Sequence, residues 1–114
     1  MHLEFSLQTE IETMNTEVFI GYLHNDLQIM AQCAGIHTIL WKPRVNQYKY
    51  ARNIMVQLGY GLMKLESDPN QYKVLNPPLN GHGTYENLLD FVKRLMKVCY
   101  AHPNAEIHIL GEKD

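Results

Sequence analysis

The sequence predicts a small α+β domain in which three helices pack on one face of a two- or three-stranded sheet. Its 114 residues form a single domain, and 46% of them are hydrophobic, which is enough for one core. Charged residues make up 19% and the formal net charge is -2, a balance typical of folded rather than disordered chains. Apolar and polar residues alternate with a period of two near both ends of the chain, and apolar residues recur at helical spacing between them.

The first predicted element is a strand over residues 3–8, where apolar and polar side chains alternate. Residues 9–16 are polar and are interpreted as a connection. A helix is then predicted from a cap at Asn15 or Thr16 to about Ala34. Its buried face has spacings of three and four residues and consists of Phe19, Leu23, Leu27, Met30, Ala31 and Ala34.

Residues 36–41 form a short apolar run with β-branched side chains. The run ends at Lys42-Pro43, and a proline pushes the residue before it out of helical geometry. A strand or an extended connector is therefore predicted at 36–41.

A second helix is predicted over residues 46–67. Gly59 and Gly61 weaken this prediction, since each costs a helix about 1 kcal/mol relative to alanine. The alternative places paired strands at 60–66 and 72–75, but length and periodicity favour the helix. Its buried stripe consists of Ala51, Ile54, Met55, Leu58, Leu62 and Leu65.

Residues 68–83 are rich in proline and glycine and are predicted to be a loop, with a helical turn at 69–72 as an option. A third helix follows with Thr84 as its cap. Residues 106–109 alternate again and predict a closing strand that can pair with the first one. The predicted order is β-α-(β)-α-loop-α-β. The face of the third helix consists of Leu88, Phe91, Val92, Leu95, Met96 and Cys99.

Composition also narrows the classes of partner. The charge balance argues against nucleic acid, because neutralising phosphates requires an excess of Lys and Arg. The N-terminal residues lack a positive region followed by an apolar run, so no secretory signal is expected. Apolar stretches of four or five residues are too short to span a membrane. We therefore expect a cytoplasmic protein without membrane contact.

No motif for catalysis, metal binding or a cofactor stands out. The six histidines are not spaced as metal ligands, so no metal and no cofactor are predicted. Cys33 and Cys99 occupy apolar positions of predicted helices and are interpreted as buried thiols rather than as a disulfide or a nucleophile. Nucleophile-elbow, paired-carboxylate and Walker signatures are missing from the sequence. The sequence therefore favours a non-enzymatic protein.

The segment before the third helix supports an alternative function. Exposed N–H groups and the helix dipole at that end can hold an anion, which makes the segment a candidate site for a small ligand or a nucleotide. The simpler interpretation, which we favour, is that the glycines allow turns and Thr84 only caps the helix. The candidate ligand residues are Asn80, Gly81, His82, Gly83, Thr84 and Tyr85.

A second candidate surface follows from the aromatic residues around the second helix. That helix has apolar residues on more than one side, including Val56, Tyr60 and Met63. The excess predicts a second buried surface, covered by a protein partner or by another copy of the chain. Aromatic and arginine side chains are enriched at interfaces. The predicted contact residues are Trp41, Arg44, Tyr48 and Tyr60.

The stretch from Tyr48 to Ile107 also carries a series of short motifs. In order they are Asp68-Pro69-x-x-Tyr72, Leu75-Asn76-Pro77, Asn80-Gly81-x-Gly83-x-Tyr85-Glu86, Leu89 with Phe91, and Cys99-x-x-x-Pro103-x-Ala105-x-Ile107. This order resembles small phage and prophage proteins of unassigned function. The resemblance covers about half of the chain, and His82 stands where the group commonly has an aromatic residue. It implies a mobile-element accessory protein and brings no catalytic residues with it.

Overall fold

The computed structural model describes residues 2–76 and 83–111. Short 3-10 helices also occur in this part of the chain, at Asn25–Leu27 and Pro43–Asn46. The predicted α+β class is confirmed, with five α-helices in the described residues rather than three. The elements are β1 (His2–Ile11), β2 (Met14–His24), α1 (Gln28–Cys33), α2 (His37–Trp41), α3 (Ala51–Ser67), α4 (Pro69–Lys73), α5 (Tyr85–Ala101) and β3 (Glu106–Gly111).

The three strands form one antiparallel sheet in the order β2-β1-β3, so β1 is central. Ile11 and Met14 pair at the end of the β1–β2 hairpin. The two residues between them, Glu12 and Thr13, have positive φ angles of 50° and 66°, as the favoured two-residue hairpin turn requires. The predicted pairing of the first and last strands is confirmed by the β1–β3 ladder.

Three phenylalanines join the sheet to α5. Phe5 of β1, Phe19 of β2 and Phe91 of α5 contact one another edge to face, with ring centroids 5.5 to 6.3 Å apart. Gly21 of β2 makes room for this cluster, because a Cβ atom there would lie 2.6 Å from the Phe91 ring. The cluster therefore sets how closely α5 approaches the sheet.

The helices leave the other face of the sheet open. Along β1, Leu3, Phe5 and Leu7 are buried on the inner face, while the side chains between them point outward. On this outer face Tyr22 and Leu110 are 55% and 65% exposed. The predicted arrangement, with helices on one face, is thus confirmed.

Two predictions for the first third of the chain are wrong. The polar segment 9–16 is not a connection, and the helix predicted to end at Ala34 is replaced by β2, a 3-10 turn and the short helix α1. A spacing of four residues, such as that of Phe19 and Leu23, is common to a strand and a helix, so it did not separate the two. The hairpin turn, moreover, contains neither the glycine nor the asparagine that usually marks it.

The strand predicted at 36–41 is also wrong, because His37–Trp41 forms α2. Gly35 reverses the chain with a φ of 77°, and Ile36, Ile39 and Leu40 then bury themselves at helical spacing. Periodicity alone cannot assign a short apolar run to a strand or a helix. Here the run packs against α3 and forms a helix.

The later helices agree well with the sequence. The helix predicted over 46–67 is confirmed from residue 51 onward, and the paired strands at 60–66 and 72–75 are wrong. The optional turn at 69–72 lies within α4. Thr84 caps α5, as predicted, since its side-chain oxygen accepts a hydrogen bond from the Asn87 N–H.

The two glycines of α3 have opposite roles, and this gives a test of the fold. A Cβ on Gly61 would collide with the Ile36 side chain, whereas a Cβ on Gly59 would meet the Met96 methyl group at an ordinary 3.8 Å. We expect Gly61→Ala to lower the free energy of unfolding by about 1–3 kcal/mol through overpacking. Gly59→Ala should raise it by up to about 1 kcal/mol through helix propensity. Urea unfolding of both variants measures the difference, and equal effects would contradict the packing of α3 on Ile36.

Candidate functional site

The outward side of α3 carries a row of exposed apolar side chains. Val56, Tyr60 and Met63 are 72%, 63% and 66% exposed, and their spacing of four and three residues places them on one face of the helix. The opposite face of α3 is buried in the core. The predicted second apolar side of this helix is therefore present, and we call these three residues the α3 stripe.

A groove of about 490 Å³ runs beside the stripe, between α3 and α5. Gly59 faces Met96 across it and, having no side chain, leaves the space open. Leu62 is the α3 residue that lines the groove, and it directly precedes Met63 of the stripe in the chain, so the two surfaces are neighbours on α3. The groove is lined by Leu62, Asp90, Lys93, Arg94, Met96, Lys97 and Tyr100.

The rim of this α3–α5 groove is mainly basic. Lys93 pairs with Glu66 at 3.4 Å, and Arg94 pairs with Asp90 at 2.9 Å. Lys97 forms no ion pair with any residue in 2–76 or 83–111. Although the whole chain has a net charge of -2, this surface therefore presents a positive charge that no described residue neutralises, beside apolar side chains.

Three of the four predicted contact residues lie elsewhere. Trp41 is half-buried and stacks on His37, with ring centroids 5.1 Å apart, and its Nε1 is buried without a hydrogen-bond partner among the described residues. Arg44 donates from Nη2 to the Ile107 carbonyl at 3.1 Å, so it is tied to β3. Tyr48 is half-buried against the core. Among the predicted contacts, Tyr60 alone belongs to the α3 stripe, and contact by all four stays a prediction.

The predicted ligand loop is described only in part. Asn80, Gly81 and His82 lie outside the described residues. Gly83 is buried, and the side-chain oxygen of Thr84 is used as the cap of α5.

The N–H groups at the start of α5 are largely engaged within the chain. The Tyr85 N–H donates to Asn76 Oδ1 at 2.8 Å, and the Leu88 N–H donates to the Thr84 carbonyl at 3.2 Å. The Tyr85 hydroxyl is also bound, since it donates to the Leu65 carbonyl at 2.7 Å. Donors that are already satisfied offer little to an anion, and this favours the capping interpretation of the loop.

No family model, no curated protein and no solved structure matches this chain. The resemblance to phage and prophage proteins therefore stays a hypothesis. Within the described residues, no helix has the length and apolarity that crossing a bilayer requires.

The thiol and imidazole groups give no catalytic arrangement in the part of the chain that is described. Burial raises the pKa of the Cys99 thiol to about 12, so this group stays protonated at neutral pH. Cys33 is exposed, which makes its predicted burial wrong; α1 turns this side chain away from the core. Burial, with a contribution from Lys42, lowers the pKa of His37, which favours the neutral ring. Groups of three or more His, Cys, Asp or Glu able to hold a metal are not found among the described residues.

The two free cysteines should differ in reactivity. Iodoacetamide at pH 8 should modify Cys33 quickly in the folded protein and leave Cys99 unmodified, because only the first is exposed and the second is a buried thiol. Mass spectrometry of peptides measures both sites, and denaturation in urea serves as the control in which both react. Fast modification of Cys99 in the folded state would contradict the packing of α5.

The raised pKa of Cys99 also predicts an alkaline loss of stability. The unfolded thiol ionises near pH 9 and the folded one only near 12, so the unfolded state releases its proton first. The free energy of unfolding should therefore fall as the pH rises above 9. Urea unfolding between pH 7.5 and about 10.5 measures this slope. In Cys99→Ala the slope should be shallower, and an unchanged slope would assign it to other groups, such as Tyr72 and Tyr85, whose pKa values are also raised by burial.

The sequence predicted the α3 part of this surface but not the α5 part. It placed Met96 in the core face of α5, although this residue is only partly buried and lines the groove. The sequence pattern led to no prediction for Tyr100. The signal was present, since Met96 and Tyr100 are four residues apart and share a flank with Lys93 and Lys97, which are also four apart.

Proposed function

We propose that this chain is a non-enzymatic interaction module that binds a protein partner through the α3 stripe and the α3–α5 groove. One observation carries the proposal: three large apolar side chains of a single helix point into solvent beside an apolar groove. Contiguous exposed apolar surface is uncommon on monomeric proteins and marks sites of association. The exposed tyrosines, Tyr60 and Tyr100, add the side chains that are enriched in interfaces.

The shape and charge of the surface support a proposal for the kind of partner. A groove between two helices suits an amphipathic helix, which lays its apolar face into the groove. Lys97 stands on the rim without an ion pair among the described residues and favours an acidic side chain beside the apolar anchors, whereas Lys93 and Arg94 are already paired with Glu66 and Asp90. The proposed partner is therefore a protein that presents an acidic amphipathic helix.

The biological setting is a further part of the proposal. A mobile-element accessory protein that acts on a host protein in the cytoplasm is consistent with the motif resemblance between Tyr48 and Ile107. A small module with an open apolar surface suits such a role, since it needs only to bind one helix of the partner protein. This setting is supported by the sequence motifs alone.

Site-specific photo-crosslinking tests the proposed surface. A benzophenone side chain at position 60 or 100 should yield a discrete crosslinked partner in bacterial lysate, whereas one at Glu12, in the hairpin turn, should not. The same partner should then bind Met63→Lys at least about tenfold more weakly than the unmodified chain, since central anchors dominate interface energies. Purified partner and a titration by calorimetry measure the loss.

Met14→Lys is the matched control for that titration. Met14 is 70% exposed, close to the 66% of Met63, but it lies in the β1–β2 hairpin. It should leave binding unchanged. Equal losses for the two variants, or identical products from positions 12 and 60, would contradict the proposed surface.

The nucleotide alternative makes the opposite prediction for a simpler experiment. If the loop before α5 binds a nucleotide, millimolar ATP or GTP should raise the melting temperature, and His82→Ala should reduce that shift. The interaction module should show no shift with either nucleotide. A clear shift lost in His82→Ala would favour the ligand-binding function instead.

A further inference from the structure

The rest of the chain covers the two edges of the sheet to different extents. The outer edge of β3 is covered at its start, because the Ile107 N–H donates to the Lys49 carbonyl at 2.8 Å and Arg44 donates to the Ile107 carbonyl at 3.1 Å. Tyr50 adds an isolated bridge to Glu106. The outer edge of β2 is eleven residues long, and none of the described segments pairs with it.

The hydrogen bonds of Ile107 fix which groups of β2 face outward. Residues along an antiparallel strand direct their N–H and C=O groups alternately to one side and the other. Since both groups of Ile107 point away from β1, its partner Leu7 must direct its own groups toward Phe19 of β2. By the same alternation Gly21 and Leu23 bond to β1.

The backbone groups of Ile20 and Tyr22 consequently point away from the sheet, along its open edge. Their side chains lie on the outer face, where they are 38% and 55% exposed. His2 supports the Tyr22 ring from β1 in an edge-to-face contact, with centroids 5.1 Å apart. This edge therefore combines hydrogen-bonding groups that no described segment pairs with and exposed apolar side chains, a combination that promotes pairing with another strand.

We propose that β2 of a second copy of this chain pairs antiparallel with this edge and forms a continuous six-stranded sheet. A two-fold axis at Gly21 places Ile20 of each copy opposite Tyr22 of the other copy, which gives two such pairs. Both pairs then exchange backbone hydrogen bonds, and each brings a β-branched side chain beside an aromatic one, which is a favourable cross-strand pair. The pairing uses backbone groups of β2, which are not part of the α3–α5 groove, so the inference does not depend on the proposed function.

Charge and symmetry favour a second copy over a foreign strand. From Val18 to Leu23 the strand has no charged side chain, and the charged residues that share a pocket with Tyr22, Asp90 and Arg94 of α5, pair with each other. Two identical edges therefore meet without a net charge of one sign on the strand. Within the described residues β2 has the longer open edge, because residues 44–50 cover the other edge at Glu106 and Ile107. Pairing of one β2 edge with the same edge of a second copy is isologous, so it uses both edges and closes at a dimer.

The length of the ladder limits the strength of the dimer. An extra residue, Val18, interrupts the β1–β2 register between Phe19 and Glu17, and β2 ends at His24, where a 3-10 turn begins. The regular part of the edge is thus only a few residues long. We expect a dissociation constant in roughly the micromolar range, as is typical of small interfaces.

Sedimentation velocity from about 1 to 500 µM tests the dimer. The unmodified chain should shift from monomer to dimer over this range, and Tyr22→Lys should raise the dissociation constant at least about tenfold, since each substitution enters the interface twice. Leu110→Lys is the matched control, because Leu110 is similarly exposed on the same outer face but lies on β3. It should leave the dimer intact.

Amide hydrogen exchange in the unmodified chain provides a second measurement that needs no variant. The amides of Ile20 and Tyr22 should exchange fast at low concentration and become protected as the dimer forms. A strictly monomeric mass at 500 µM would overturn the inference. So would a dimer equally weakened by Leu110→Lys, which indicates stacking of the outer faces, or one in which these two amides stay unprotected.

Discussion

The mutual contact of Phe5, Phe19 and Phe91 is the constraint on which the rest of the structure depends. It brings β1, β2 and α5 to one point, and Gly21 allows the Phe91 ring to lie against the sheet without a Cβ atom in between. Aromatic rings bury more area than any other side chains, so a cluster of three fixes the distance and direction of the helix that carries one of them. Everything on the helical side of the sheet is built outward from α5.

The position of α5 in turn places α3 and opens the groove. The Tyr85 hydroxyl holds the end of α3 through the Leu65 carbonyl, and the Lys93–Glu66 pair ties the two helices on their outer side. On its far side α3 receives Ile36 against Gly61. The buried side of α3 is occupied by these contacts, and no helix of the described residues covers its remaining face. Val56, Tyr60 and Met63 are therefore exposed as a consequence of topology, which gives the interaction proposal its physical basis.

A small sheet covered on one face leaves other surfaces open as well. The segment 44–50 covers the start of one edge, and the opposite edge and the outer face have no such cover from the described chain. The α3–α5 groove and the β2 edge use different forces: the groove offers apolar area and positive charge, and the edge offers backbone hydrogen bonds. The two surfaces meet at Asp90 and Arg94, which line the groove and also a pocket beside Tyr22 of β2.

The sequence by itself determined the α+β class, the helices α3 and α5, the cap at Thr84, the closing strand and the second apolar side of α3, because these depend on periods and capping residues that are local. It could not decide between strand and helix at 14–24, since Phe19 and Leu23 satisfy both periods and a turn of Glu12 and Thr13 gives no signal. Nor could the sequence locate the α3–α5 groove or predict the hydrogen bond between Arg44 and the Ile107 carbonyl of β3. These arise where residues distant along the chain pack together, and such distances are set only when the core closes around Phe5, Phe19 and Phe91.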